Sequence, residues 1–162
     1  MRFTGKTDIL MACNGALAGL VEITAGTGPV EPWSAVVIGA AAAPIMMGSV
    51  VLLERVLKVD DPVSAISVHG VTGLWGLLAV GIFANGNNGV EGLVVGNSLQ
   101  IVSQVISMGV VLAWALVTGF ALFFFLKLAM GVRVTREEEL EGLNLREHSM
   151  EPYSPDSVPE TA

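Results

Sequence analysis

The chain has 162 residues, a mean hydropathy of +0.68, 52% hydrophobic residues and only 14% charged ones, against about 25% charged in a soluble domain, so its composition excludes an ordinary soluble fold and points to a lipid bilayer. The formal charge of −7 is uneven, because residues 132–162 hold eight of the fifteen acids and three of the eight bases. No basic patch invites nucleic acid, and the single cysteine, Cys13, excludes an intrachain disulfide and reads as inert packing in an apolar stretch.

A spanning helix needs roughly 20 mostly apolar residues, because the hydrocarbon core is about 30 Å thick and offers the backbone no water to bond. Four stretches meet that need, at about 9–26, 33–53, 62–84 and 101–130. The fold class expected is therefore an all-α membrane protein with four transmembrane helices: a transmembrane region over 1–131 and a cytoplasmic tail over 132–162. Arg2 and Lys6 followed by "ILMACNGALAGL" imitate a secretory signal. Asp8 and Asn14 are out of place in such a core, however, and the later spans make cleavage unnecessary.

The first span holds Gly15 and Gly19 in a GxxxG, and near its end Glu22, with Thr24 two residues on. Small residues let helix backbones approach closely. The carboxylate can reach the interface, titrate in a cavity or stay protonated, and snorkelling is the reading preferred here. Asn14, deeper in, suits a hydrogen bond across helices. The second span opens on Trp33, an aromatic suited to the interface, and carries Gly39 and Ala43.

The third span lies in "DDPVSAISVHGVTGLWGLLAVGIFANG", residues 60–86. Asp61 followed by Pro62 reads as an N-cap with proline at the first helical position. His69 follows about two turns in, on the order of 10 Å along the axis, too deep for a short imidazole to reach the surface. Ala65, Ile66, Thr72, Gly73 and Gly76 share its face at helical spacing. Such a small, slightly polar face lines either a narrow lumen or a tight helix contact. Ionisable groups in spans mark pathways by default. Trp75, and Trp114 in the fourth span, read as packing.

Basic residues orient the bundle. Arg2, Lys6, Arg55, Lys58, Lys127, Arg133, Arg136 and Arg146 flank alternate ends of the spans, whereas residues 27–32 and 85–100 contain neither Lys nor Arg. The positive-inside rule then places both termini in the cytoplasm of a multi-pass protein of the cell's inner (plasma) membrane. Beyond the fourth span, residues 135–147 alternate acid and base on a short helix, and "PYSPDSVPETA" reads as disordered. Neither a phosphate loop, nor histidines at metal spacing, nor a nucleophile beside a base is present, so no enzyme, metal or cofactor is expected.

These motifs resemble a known family. "DDPVSAISVHGVTGLWG" resembles the signature helix of the Amt/Mep/Rh ammonium transporters, in which DDP opens the helix and the histidine of HG is the second of a pore-lining pair. "NGALAGLVEITAG" resembles an earlier family helix, and "RVTREEELEGLNLREHSMEPY" is similar to the cytoplasmic tail of bacterial Amt proteins. The resemblance implies helices eight to eleven and the tail of an eleven-helix fold whose first ten form an inverted repeat, so no inverted repeat is expected within this chain alone.

By the same resemblance ammonium is recruited outside, loses its proton and crosses as ammonia. His69 would be the second pore histidine, Ala65 and Thr24 pore-lining positions, and Asp61 and Pro62 structural residues at the start of the pore helix. Gly142 and Tyr153 would belong to a tail that touches a neighbour in a homotrimer and, in many bacteria, couples to a PII-class signalling protein. Glu22, Asn144 and Ser149 depart from the family pattern. The first pore histidine and the recruitment site belong to helices that the resemblance places upstream, so the chain is expected to be a truncated or split transporter. The competing expectation is a non-transporting membrane scaffold or regulatory subunit that acts through helix association and its tail.

Overall fold

In the computed structural model, residues 8–141 are described. They are all-α: among them there is no strand, only the isolated bridges Val30 with Ala84 and Asn85 with Glu91. Four helices are long and apolar enough to cross a membrane, over Ile9–Gly26, Pro32–Leu57, Ile66–Phe83 and Leu99–Ala129. The chain divides into two compact units, residues 1–114 and 115–162.

In the first unit, α1 (Ile9–Ile23) closes with a tighter turn over Thr24–Gly26, and α2 (Pro32–Val51) continues as a wider, π-wound segment over Leu52–Leu57. The third span begins π-wound over Ile66–Val71 and becomes regular as α3 (Thr72–Phe83). Asp8 starts α1 as a side-chain cap, its Oδ1 accepting from the Met11 amide at 3.0 Å, and Pro32 opens α2, where a missing N–H costs nothing.

The packing follows two rows at i, i+4 spacing. Asn14, Ala18 and Glu22 are the buried residues of α1, and Ser34, Ile38, Ala42, Met46 and Val50 make a matching row on α2. Ala18, Ala42, Met46, Val50 and Val68 form one cluster, with Met11 and Val21 against it. Such rows interdigitate as ridges into grooves. Lipid tails are as apolar as leucine, so what holds these helices is close van der Waals fit and hydrogen bonds rather than expulsion of water.

Small residues set that fit unequally. A Cβ on Gly19 would lie 3.8 Å from the Gly39 carbonyl oxygen, whereas one on Gly15 would meet nothing within 4 Å. One on Gly76 would lie 2.9 Å from the carbonyl carbon and 3.0 Å from the Cα of Glu22, so α1 and the third span touch backbone to backbone there. Asn14 adds a polar tie, its Nδ2 donating to the Val63 carbonyl at 3.2 Å. Asn14→Ala is expected to lower thermal stability in detergent only slightly, by about 0.6 kcal/mol, the average for such bonds between membrane helices.

At the end where α1 closes, the connections are stitched together. The Asn85 amide donates to the Pro29 carbonyl at 2.8 Å, the Gly92 amide donates to the Ala84 carbonyl at 2.9 Å, and Asn85 Nδ2 donates to Glu31 Oε1. Trp33, 55% exposed, meets Phe83 edge-on with centroids 6.1 Å apart. Cys13 is exposed rather than packed, because it lies off the buried row of Asn14 and Ala18.

The unit boundary falls inside α4 (Leu99–Ala129), which has no buried residue and in which Trp114 is 72% exposed. In the second unit α5 (Arg136–Glu141) begins with a capping box. The Glu138 amide donates to Thr135 Oγ1 at 3.3 Å, and Glu138 Oε2 accepts from the Thr135 amide at 2.9 Å. The T-x-x-E spacing at 135–138, not singled out from the sequence, marks this start. The later residues of the expected 135–147 helix lie outside the described residues.

Candidate functional site

His69 sits in the π-wound opening of the third span, and its side chain is exposed on the outside of the three-helix packing. A π turn is wider than an α turn and is frequent at functional sites. It also shifts the phase of the helix. Of the residues expected on the His69 face, Ala65 and Ile66 are exposed with it, while Thr72 and Gly76 are buried. Thr72 turns inward and its Oγ1 donates to the Val68 carbonyl. The α-helical spacing used to assemble that face is broken by the extra residue per turn, so the face is narrower: Ala65, Ile66 and His69, with Gly73 half-buried at its edge.

Asp61 holds this segment in place by a route that differs from the one expected. Pro62 is not the first helical residue; it and Val63 lie in a turn closed by the Ser64 amide donating to the Asp61 carbonyl at 2.8 Å. Proline's fixed φ suits the second position of such a turn as well as it suits a helix start. Ser64 at φ 57° then interrupts the right-handed winding, and the helix begins beyond it. Asp61 therefore reaches across the turn. Its Oδ1 accepts from the Ile66 amide at 3.2 Å, and its Oδ2 from the Ser67 amide at 3.2 Å and Ser67 Oγ at 3.3 Å. With Asp61 4% exposed and Ser67 fully buried, a charge sits where free amides and the helix dipole favour it. Ser67 was not singled out from the sequence. A serine six residues past a capping aspartate follows no local rule.

Thr24 is exposed in the tight turn after α1, and its Oγ1 donates back to the Val21 carbonyl. The pairing of Gly76 with Glu22 puts Thr24 roughly 13 Å along the axis from the level of His69 at 1.5 Å per residue, so the structure does not bring these two together. Gly142 and Tyr153 lie outside the described residues.

Glu22 does not snorkel. It is 1% exposed, on the inward row of α1, and among the described residues neither carboxylate oxygen has a hydrogen-bond partner. A Cβ on Gly39 would lie 4.0 Å from Glu22 Oε1. Glycines on the two neighbouring helices thus admit the whole residue into the packing, which composition alone does not reveal.

What the site offers chemically is one imidazole exposed within a span, on a small-residue wall, above a rigid polar cap. Residues 1–153 match the Ammonium Transporter Family. The chain is 49% identical to the ammonium transporter Amt2 of Archaeoglobus fulgidus over 157 residues, 92% of this chain and 33% of that protein. It is 34% identical to ammonium transporter 1 member 1 of Arabidopsis thaliana over 156 residues, 90% and 31% of the two chains. It is also 34% identical to the ammonium transporter Amt1 of Haloferax mediterranei over 151 residues, 93% and 28%. These relatives are named as transporters, not enzymes, and the chain spans about a third of their length. With nearly its whole sequence inside the family match, the chain belongs to the ammonium transporter family.

Proposed function

We propose that the chain serves ammonium and ammonia transport across the plasma membrane as the part of a transporter equivalent to helices eight to eleven and the tail, with His69 as the second pore histidine. The observation that carries this reading is the exposed imidazole of His69 on the outer wall of the first three spans. Among the described residues that side chain has no hydrogen-bond partner, and a polar group there requires protein or water, not lipid, opposite it. Upstream helices of the family fold would face it and complete the lumen.

The chemistry suits a weakly basic solute. Carrying a cation through hydrocarbon is prohibitive, whereas neutral ammonia crosses readily, and an imidazole exchanges a hydrogen bond or a proton with it at small driving force. Ala65 beside it leaves room for a solute, and Asp61 fixes the helix start. Thr24 would line the same path nearer its other end. The distribution of Lys and Arg supports cytoplasmic termini and the direction of the spans. The exposed apolar length of α4 supports association with lipid or with neighbouring subunits, as in a homotrimer of Amt type. The similarity to bacterial Amt tails supports a regulatory role for Gly142, Tyr153 and a PII-class partner.

Uptake of methylammonium into transport-deficient cells tests the reading. The chain expressed alone is expected to give no flux, and flux is expected once the upstream helices are supplied as a second polypeptide or in fusion. His69→Ala should then lower it on the order of a hundredfold, the scale at which loss of a proton-transfer group is felt. Association with the upstream helices but unchanged flux in His69→Ala would remove His69 from the path. Association with no flux at all would favour the scaffold reading.

A further inference from the structure

We propose that Glu22 is a proton-binding site of the helix bundle, a carboxylic acid group that holds its proton inside the packing. This goes beyond the transport reading and holds whatever solute crosses. Three observations carry it. Glu22 is 1% exposed within a three-helix contact, both its oxygens lack a partner at hydrogen-bond distance and angle among the described residues, and its main chain packs against Gly76 on α3 while a Cβ on Gly39 of α2 would lie 4.0 Å from its Oε1.

An ionised carboxylate without hydrogen bonds in a dry interior is among the costliest arrangements a protein can hold, and the group neutralises instead. A neighbouring cation could do this, but among the described residues none faces it. α2 carries no titratable residue between Pro32 and Val51, and α3 with its π-wound start carries only His69, which is exposed and seven residues from Gly76. On α1 itself the other titratable groups are Asp8 at the cap and Cys13, which is exposed.

The full chain inserted in lipid vesicles at neutral pH provides the test, with dicyclohexylcarbodiimide as the probe. This reagent enters lipid and reacts with an acid that carries its proton. The proton passes to a carbodiimide nitrogen as the carboxyl oxygen bonds to the central carbon, and the acyl group then migrates to nitrogen, leaving a stable acylurea with nothing expelled. One carbodiimide on the peptide containing Glu22 is expected, with no label there from a water-soluble carbodiimide. A deuterium-sensitive carboxylic-acid carbonyl band should be present in the infrared spectrum and absent from Glu22→Gln. Because an amide copies the neutral acid, Glu22→Gln should insert and melt as the parent does. Absence of both label and band in the inserted parent would overturn the proposal, and so would a Glu22→Gln chain that fails to fold, since that would show a requirement for the charge. None of these readouts involves flux, so they stand apart from the transport test.

Discussion

Gly76→Ala is expected to destabilise the packing of α1 against α3 by about 1–3 kcal/mol, the cost of forcing a methyl group into a filled interior, with Gly76→Val costing more. The new Cβ would lie 2.9 Å from the carbonyl carbon and 3.0 Å from the Cα of Glu22 and would overlap the carbonyl oxygen. These are main-chain atoms of the last turn of α1, which runs on into the tighter turn over Thr24–Gly26. A flexible side chain could rotate aside, but here only separation of the two helices relieves the clash, and separation forfeits the contacts on either side. Gly73→Ala is the control, because its Cβ would meet only the Val21 side chain at 3.9 Å, an ordinary contact. Thermal or detergent-induced unfolding followed by helicity should separate the two variants clearly. Gly15→Ala, with nothing within 4 Å, should be neutral or gain from alanine's better helix propensity. Equal melting of Gly76→Ala and Gly73→Ala would mean that α1 and α3 do not meet at Glu22.

The glycines also show how far the sequence carries. The count of spans was legible, because a helix in lipid must be apolar for its whole length and that requirement is written residue by residue. Which glycine matters was not. Gly70, Gly73 and Gly76 repeat at one spacing, yet one of them meets a backbone and the others meet side-chain carbons at 3.7 and 3.9 Å. That depends on the rotation of each helix about its axis, and with apolar residues on every side no amphipathic pattern reports it.

The candidate site divides in the same way. His69 was visible as an ionisable residue in an apolar run. Its companions were misassigned, because a π turn inserts a residue without changing composition, and Thr72 and Gly76 rotated inward. Glu22 went the other way. A carboxylate one residue from the end of α1 invited the interface, and the glycines packed against it lie 17 and 54 positions downstream, out of reach of any local rule.

Asp61→Ala is expected to cost about 2–4 kcal/mol, more than the roughly 1 kcal/mol typical of an N-cap, and to loosen the segment that carries His69. The excess comes from burial. An exposed cap, once removed, leaves amides that water can satisfy. Here the Asp61 carboxylate is 4% exposed and answers the amides of Ile66 and Ser67 and the hydroxyl of Ser67, and stranding buried donors costs about 1–3 kcal/mol beyond the lost bonds. Asp61→Asn keeps one acceptor oxygen but turns the other into a donor facing donors, so it should recover only part of the loss. Ser67→Ala removes a single contact and should be mild. Its effect should vanish in the Asp61→Ala background, where the hydroxyl has nothing left to bond. Unfolding of the four chains in detergent gives this coupling directly, and amide hydrogen exchange at Ile66 and Ser67 should rise in Asp61→Ala while exchange at the middle of α2 stays unchanged. Additive effects of the two substitutions would show that Asp61 and Ser67 act separately. Coupled effects would make the aspartate, six residues from the serine and eight from the histidine, the group that fixes where the imidazole stands: proline sets the turn, Ser64 ends it, and Asp61 converts it into the first bonded turn of the third span.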